Sequence, residues 1–143
     1  MIAVDTNILV YAHRADSSKH AAAYECMKQL SIGTSLWAIP WPCVHEFMAT
    51  VTHLNRYKPP SSLAAAIAQM TLWMNSPTCR MIGESAQHWT HLTNLMTDAK
   101  VIGGMTHDAR IAAICIQHGV REFWTADRDF SHFQNLRTSN PLN

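Results

Sequence analysis

Short apolar runs alternate along this chain with longer stretches of helical period. Ile2-Ala3-Val4 reads as a brief buried strand, and a short helix follows from Asn7 to about His13. The stretch DSSKHAAAYECMKQLSIG predicts a second helix, capped by Asp16 or Ser17 and ended before Gly33. SLWAI predicts a second strand closed by Pro40, and PCVHEFMATVTHL a helix with Pro42 in its first turn. Val44, Phe47, Met48 and Val51 fall there at i, i+3, i+4 and i+7, an apolar stripe that leaves Glu46 on the opposite face. Beyond the break KPPSS, LAAAIAQMTLWMNSP predicts a helix that is apolar nearly all round. CRMIG then predicts a third strand and SAQHWTHLTNLMTDA another helix. Past Gly103-Gly104, THDARIAAICIQHG is a helix ended by Gly119, and REFWTA a fourth strand. DFSHF reads as a helical turn, and the polar tail predicts no element. Strands alternating with helices specify an α/β fold with a mainly parallel sheet of four to five short strands.

Composition narrows this picture modestly. A chain of 143 residues suits one domain, 1–143, with a sizeable core. A formal net charge of +1 excludes a polyanion-binding surface as a whole-molecule property, while leaving room for a local basic patch. The four cysteines include no C-x-x-C pair, so a zinc or redox motif is not expected, and free thiols fit a reducing cytoplasm. No apolar stretch approaches the roughly 18–20 residues of a membrane span, and the N-terminus lacks a leader pattern.

The acids change the picture more. Of ten acidic residues, Asp5, Glu46, Asp108, Asp127 and Asp129 are not arranged as a solvated face. Asp5 ends the first strand and Asp127 the fourth, and ligands of open parallel sheets bind at the carboxyl ends of strands. Asp108 lies in the first turn of its helix, after a Thr106 cap. Each has a plain structural reading alone: an N-cap at Asp5, a helix-dipole acid at Asp108, turn formers at Asp127 and Asp129. Together, neighbouring carboxylates oppose one another's ionisation unless a cation joins them. Arg110 and Arg128 are the nearby cations in sequence, too few for so many acids. Oxygen donors without cysteine point to Mg²⁺ or Mn²⁺ rather than zinc. His45 and His107 adjoin Glu46 and Asp108, but helix neighbours point about 100° apart. His88 and His91 lack a third ligand.

VDTNILVYA, the helical Glu of HEF, HDARIAAICIQHG and WTADRDF, in this order, resemble the PIN domain, and most closely the VapC-type ribonuclease toxins of bacterial toxin–antitoxin modules. The likeness spans nearly the whole chain, although the segment between Glu46 and Asp108 carries no matching motif. It implies a three-layer α/β/α sandwich. It implies that Asp5, Glu46, Asp108 and Asp127 are the catalytic and metal-binding quartet, with Asp129 as an additional candidate. Asn7 would orient Asp5, Thr125 would line the pocket, and Thr6 would donate to a phosphate oxygen. Arg110 and Arg128 are candidate contacts to the RNA backbone. The implied reaction is hydrolysis of RNA by water activated by one or two Mg²⁺ ions, with Mn²⁺ as the alternative, leaving a 5′-phosphate. The implied partners are a VapB-like antitoxin and a second copy of the chain, both expected at the apolar helix from Leu63. Two other readings stay open at this point: a DNA-directed nuclease or phosphomonoesterase using the same acids, and a non-catalytic binding module.

Overall fold

The computed structural model describes residues 1–143. The chain runs β1 (Ile2–Val4), α1 (Thr6–His13), α2 (His20–Ile32), β2 (Trp37–Pro40), α3 (Trp41–Val51), α4 (Leu63–Met74), β3 (Cys79–Ile82), α5 (His88–Asp98), α6 (Met105–Gln117), β4 (Glu122–Trp124), a 3₁₀ turn (Arg128–His132) and β5 (Thr138–Ser139). The five strands form one parallel sheet in the order β3-β2-β1-β4-β5.

That order fixes the layers. From β1 the chain steps outward twice in one direction, through α1–α2 to β2 and through α3–α4 to β3. It then crosses back through α5–α6 to β4, on the far side of β1. Right-handed crossovers put helices on opposite faces when the direction of travel reverses. Accordingly α1 packs on α2 and α3, while α5 packs on α6 and α6 against β2. The result is the α/β/α sandwich expected. The central strands are short and apolar because both of their faces are covered: Ala3, Val4, Trp37, Ala38 and Ile39 are fully buried. Buried side chains run along α6 from Ala109 to Cys115.

Helix α6 stops at His118, and Gly119, at φ +68°, lets the chain reverse into β4. The Val120 N–H donates to Cys115 O and the Gly119 N–H to Ile116 O, the paired bonds of a Schellman cap.

Several local expectations need correction. Helix α2 begins at His20 behind Lys19, which makes no side-chain cap; Ser17 bonds the Lys19 N–H in the turn before it, and Asp16 pairs with Arg14. Helix α6 begins at Met105 behind Gly104, two residues earlier than a Thr106 cap requires, and Asp108 remains in its first turn. The tail is not featureless, since Thr138–Ser139 add β5 to the edge of β4. Helix α4 buries Ala66, Met70 and Trp73 and leaves Leu63, Ile67 and Leu72 exposed, so part of its apolar surface is uncovered within the chain. No helix is long and apolar enough to cross a membrane.

Candidate metal-binding cleft

Strands β1 and β4 are neighbours, with Val4 opposite Trp124, and the sheet's order reverses between them. Each strand therefore delivers its next residue to the same crevice, at the carboxyl edge of a topological switch point. The Asp5 N–H extends the ladder to Trp124 O at 2.9 Å, which sets Asp5 beside Thr125.

Asp5 is 4% exposed and acts as the N-cap of α1. Its Oδ1 accepts from the Thr6 N–H at 2.8 Å and from the Cys43 thiol at 3.7 Å. Its Oδ2 accepts from the Thr125 hydroxyl at 2.7 Å and Asn7 Nδ2 at 3.1 Å. Asn7 also accepts from the Ala126 N–H through Oδ1, which ties α1 to the segment after β4. The Thr125 hydroxyl in turn accepts from the Asp127 N–H at 3.0 Å, so one buried hydroxyl links the two strand-end acids. Thr6 Oγ1 donates to Glu46 Oε2 at 2.7 Å, which positions the exposed Glu46 carboxylate from α3. That hydroxyl proton is thus engaged with Glu46 rather than offered to the cleft.

Helix α3 aims Glu46 outward because its other side is committed to the core, where Val44, Phe47 and Val51 are buried. Asp108 enters from the first turn of α6, and Asp127 caps the 3₁₀ turn by accepting from the Asp129 N–H at 2.8 Å. The helical turn read from DFSHF starts one residue earlier, at Arg128, behind the Asp127 cap. Asp5, Glu46, Asp108 and Asp127 all line one cleft of about 470 Å³. Carboxylate oxygens of Asp108, Asp127 and Asp129 lie within 4.8 Å of one another.

The electrostatics reflect this crowding. Burial pushes Asp5 up to about 6, against the lowering effect of Thr125 and the Thr6 N–H, with Glu46 and Asp108 adding repulsion. Asp108 is also raised to about 6, by burial first and then by Asp127, Asp129 and Glu46, with His107 opposing. Neither ion pair of the protein, Arg14–Asp16 or Arg110–Glu84, involves a cleft acid. Oxygens ligating one octahedral cation at about 2.1 Å lie about 3–4.2 Å apart, so the three clustered carboxylates fit such an ion with small side-chain adjustments. An all-oxygen donor set of uncompensated carboxylates suits a hard divalent cation.

The other sequence candidates are placed differently. Arg110 bonds Glu84, and Arg128 is exposed on the 3₁₀ turn; neither lines the cleft. His45 is exposed beside Trp41, and His107 acts on Asp108 only through its charge. Tyr11, Arg56 and Tyr57 line the cleft and went unrecognised in the sequence. Arg56 and Tyr57 stand in an irregular stretch before KPPSS, where no periodicity reports the direction of a side chain.

A second groove, of about 390 Å³, lies between α2 and α4, with Tyr24, Met27, Ile32, Leu72 and Trp73 among its walls. Tyr24, Ile32 and Leu72 are exposed there.

The family model described as "PIN domain" matches residues 2–136. The chain is 29% identical over 142 residues to ribonuclease VapC43 of Mycobacterium tuberculosis, covering 99% of this chain and 96% of that protein. The crystal structure of VapBC2 from Rickettsia felis, bound to a DNA fragment from their promoter, superposes with a TM-score of 0.70 at 21% identity, covering 98% of each chain. That of Mycobacterium tuberculosis VapC20, a sarcin–ricin loop cleaving toxin, superposes with a TM-score of 0.67 at 16% identity, covering 92% of this chain and 93% of the other.

Proposed function

The chain belongs to the PIN domain family, and on that premise we propose that it is a metal-dependent endoribonuclease, the cytoplasmic toxin of a type II toxin–antitoxin pair. The observation that carries the reading is the convergence of Asp5, Glu46, Asp108 and Asp127 from separate segments on one cleft with no basic partner to neutralise them. Relatives of nearly equal length that bear the name ribonuclease support it.

In this reading Asp5, Glu46, Asp108 and Asp127 hold Mg²⁺, or Mn²⁺ in its place, as one ion or two, with Asp129 adjoining. The cation supplies Lewis acidity, acidifying water and offsetting charge on the phosphate and the leaving oxygen. The chain's own groups supply preorganisation. Thr125, Asn7 and the Thr6 N–H all donate to Asp5, so its carboxylate is oriented before any ligand arrives. Thr6 fixes Glu46, and buried Phe130 closes the apolar side of the cleft. Water oxygen bonds to phosphorus, the P–O3′ bond breaks, and the 3′ oxygen takes up a proton, leaving a 5′-phosphate.

Solved neighbours that contain both VapB and VapC support an antitoxin partner. We assign its docking to the groove between α2 and α4, and a homodimer contact to Leu63 and Ile67 on the outer face of α4.

Induced expression in bacteria tests the reading. The wild type arrests growth and leaves RNA fragments with 5′-phosphate ends, whereas Asp108→Asn does neither. Equal arrest by both proteins would overturn it.

A further inference from the structure

The cleft repels the ligand proposed for it. RNA carries a negative charge on each phosphate, and four carboxylates line the crevice it must enter. Charge brought by a cation at the acids serves the reacting phosphate and leaves the neighbouring ones uncompensated. Of the chain's eleven Lys and Arg residues, one, Arg56, lines the cleft. Its guanidinium has no acidic partner, whereas those of Arg14 and Arg110 are paired with Asp16 and Glu84.

Arg56 is also held where it is. It sits in the connection between α3 and α4, whose outer side is fastened by Arg14. The Arg14 guanidinium stacks 4.4 Å from the centre of the Tyr57 ring and donates to Pro59 O at 3.0 Å and Ser61 Oγ at 3.2 Å. The Ser61 N–H donates to Val51 O at 2.8 Å, and the Arg56 and Tyr57 N–H groups both reach His53 O. Tyr57 is half-buried against the core and shares the cleft wall with Arg56. The connection is thus anchored through its neighbours, while Arg56 itself is exposed and unbonded through its side chain.

We propose that Arg56 is the substrate-positioning residue of the cleft, its guanidinium pairing with a phosphate of the RNA strand next to the one held at the acids. The proposal rests on the nuclease reading above. Arginine suits this task because its planar fork takes two phosphate oxygens at once, which a lysine cannot do. A contact made alike to bound substrate and transition state lowers KM and leaves kcat unchanged.

Steady-state cleavage of a short RNA with Mg²⁺ tests it, comparing wild type, Arg56→Ala and Arg56→Lys. Arg56→Ala raises KM about tenfold with kcat within about twofold, and Arg56→Lys falls between the two. The slope of log(kcat/KM) against log salt weakens by about 0.7, the loss of one single-strand phosphate contact. Melting temperature and Mn²⁺ affinity stay at wild-type values, which a merely structural or charge-balancing arginine would not leave unchanged. An unaltered KM, or a fall in kcat alone, overturns the proposal while the nuclease reading stands. Should the wild type cleave no RNA, the nuclease reading falls instead, and binding of labelled single-stranded RNA in Ca²⁺ decides the role of Arg56. Binding weakened about tenfold in Arg56→Ala supports the contact; equal binding, or none by the wild type, overturns it.

Discussion

Replacing Asp5 by Asn should make the folded protein less sensitive to rising pH, by an amount that follows from the burial of one carboxylate. The Asp5 pKa is raised from 3.8 to about 6, mainly by burial. A shift of that size corresponds to about 3 kcal/mol between the two protonation states. The folded protein holds the proton more tightly than the unfolded chain does. Below about pH 3.8 the carboxyl is neutral in both states and nothing is lost; between about 3.8 and 6 stability falls as pH rises; above about 6 the full penalty applies. Asn cannot ionise. Its amide group does meet one of the donors that Asp5 now satisfies, Asn7 or Thr125, but that cost does not vary with pH. Asp16 and Glu84, both shifted downward by arginine partners, contribute the opposite trend equally to both proteins and cancel in the difference. Urea unfolding in EDTA from pH 4, where about 0.6 kcal/mol is already lost, to pH 7.5 should therefore show the wild type losing about 2.4 kcal/mol relative to Asp5→Asn. Adding Mg²⁺ at pH 7.5 should stabilise the wild type more than the variant, which keeps the Asp108, Asp127 and Asp129 carboxylates but lacks that of Asp5. A difference that stays flat with pH, or one that grows in favour of the wild type, would refute the reasoning, because the donors around Asp5 would then outweigh its burial.

Three further outcomes are expected. Thr125→Val removes a buried hydroxyl that serves Asp5, Asp127 and Asn7; it should cost about 2–3 kcal/mol in urea unfolding at pH 7 and push the Asp5 pKa higher still. Lys100 holds φ +53° just past the end of α5, where the Val101 N–H closes back on Met96 O; Lys100→Gly should stabilise by about 1 kcal/mol, read as a higher urea midpoint with an unchanged slope. Leu72→Gln, at an exposed position in the groove between α2 and α4, should leave the melting temperature unchanged and weaken antitoxin binding tenfold or more, on the order of a hot-spot loss, in titration calorimetry.

The parts of the molecule that the sequence reveals are those governed by local pattern. Ile2–Val4 and the apolar stripe of α3 were visible because burial imposes a period on a few adjacent residues. The placement of Asp5 and Asp127 was visible for a related reason: a parallel sheet sends the residues after its strands to one edge, wherever those strands fall in the chain. What the sequence hid depends on contacts between distant segments. Thr6 bonds Glu46 across forty positions, and Thr125 bonds Asp5 across one hundred and twenty, so their roles emerge only once β1, α3 and β4 are assembled. Strand β5 is two polar residues, Thr138 and Ser139, recruited to the sheet by β4 and without an apolar signature of their own. The turn at Asp127–Asp129 is set by side-chain capping, and it leaves the two carboxylates close together. Arg56 lies in a connection where nothing local says which way it faces, whereas Arg110, adjacent to a candidate acid in sequence, turns to Glu84.

The central claim is that carboxylates converging at the ends of β1 and β4 hold a cation that cuts RNA. Its most direct test is cleavage of end-labelled RNA by purified protein, freed of any bound antitoxin, in Mg²⁺ or Mn²⁺, in EDTA, and with Asp5→Asn, with DNA of the same sequence as control. The account predicts cutting of RNA that requires the metal and disappears in the variant. Cutting that survives EDTA or the substitution, or no cutting of any RNA, would contradict it.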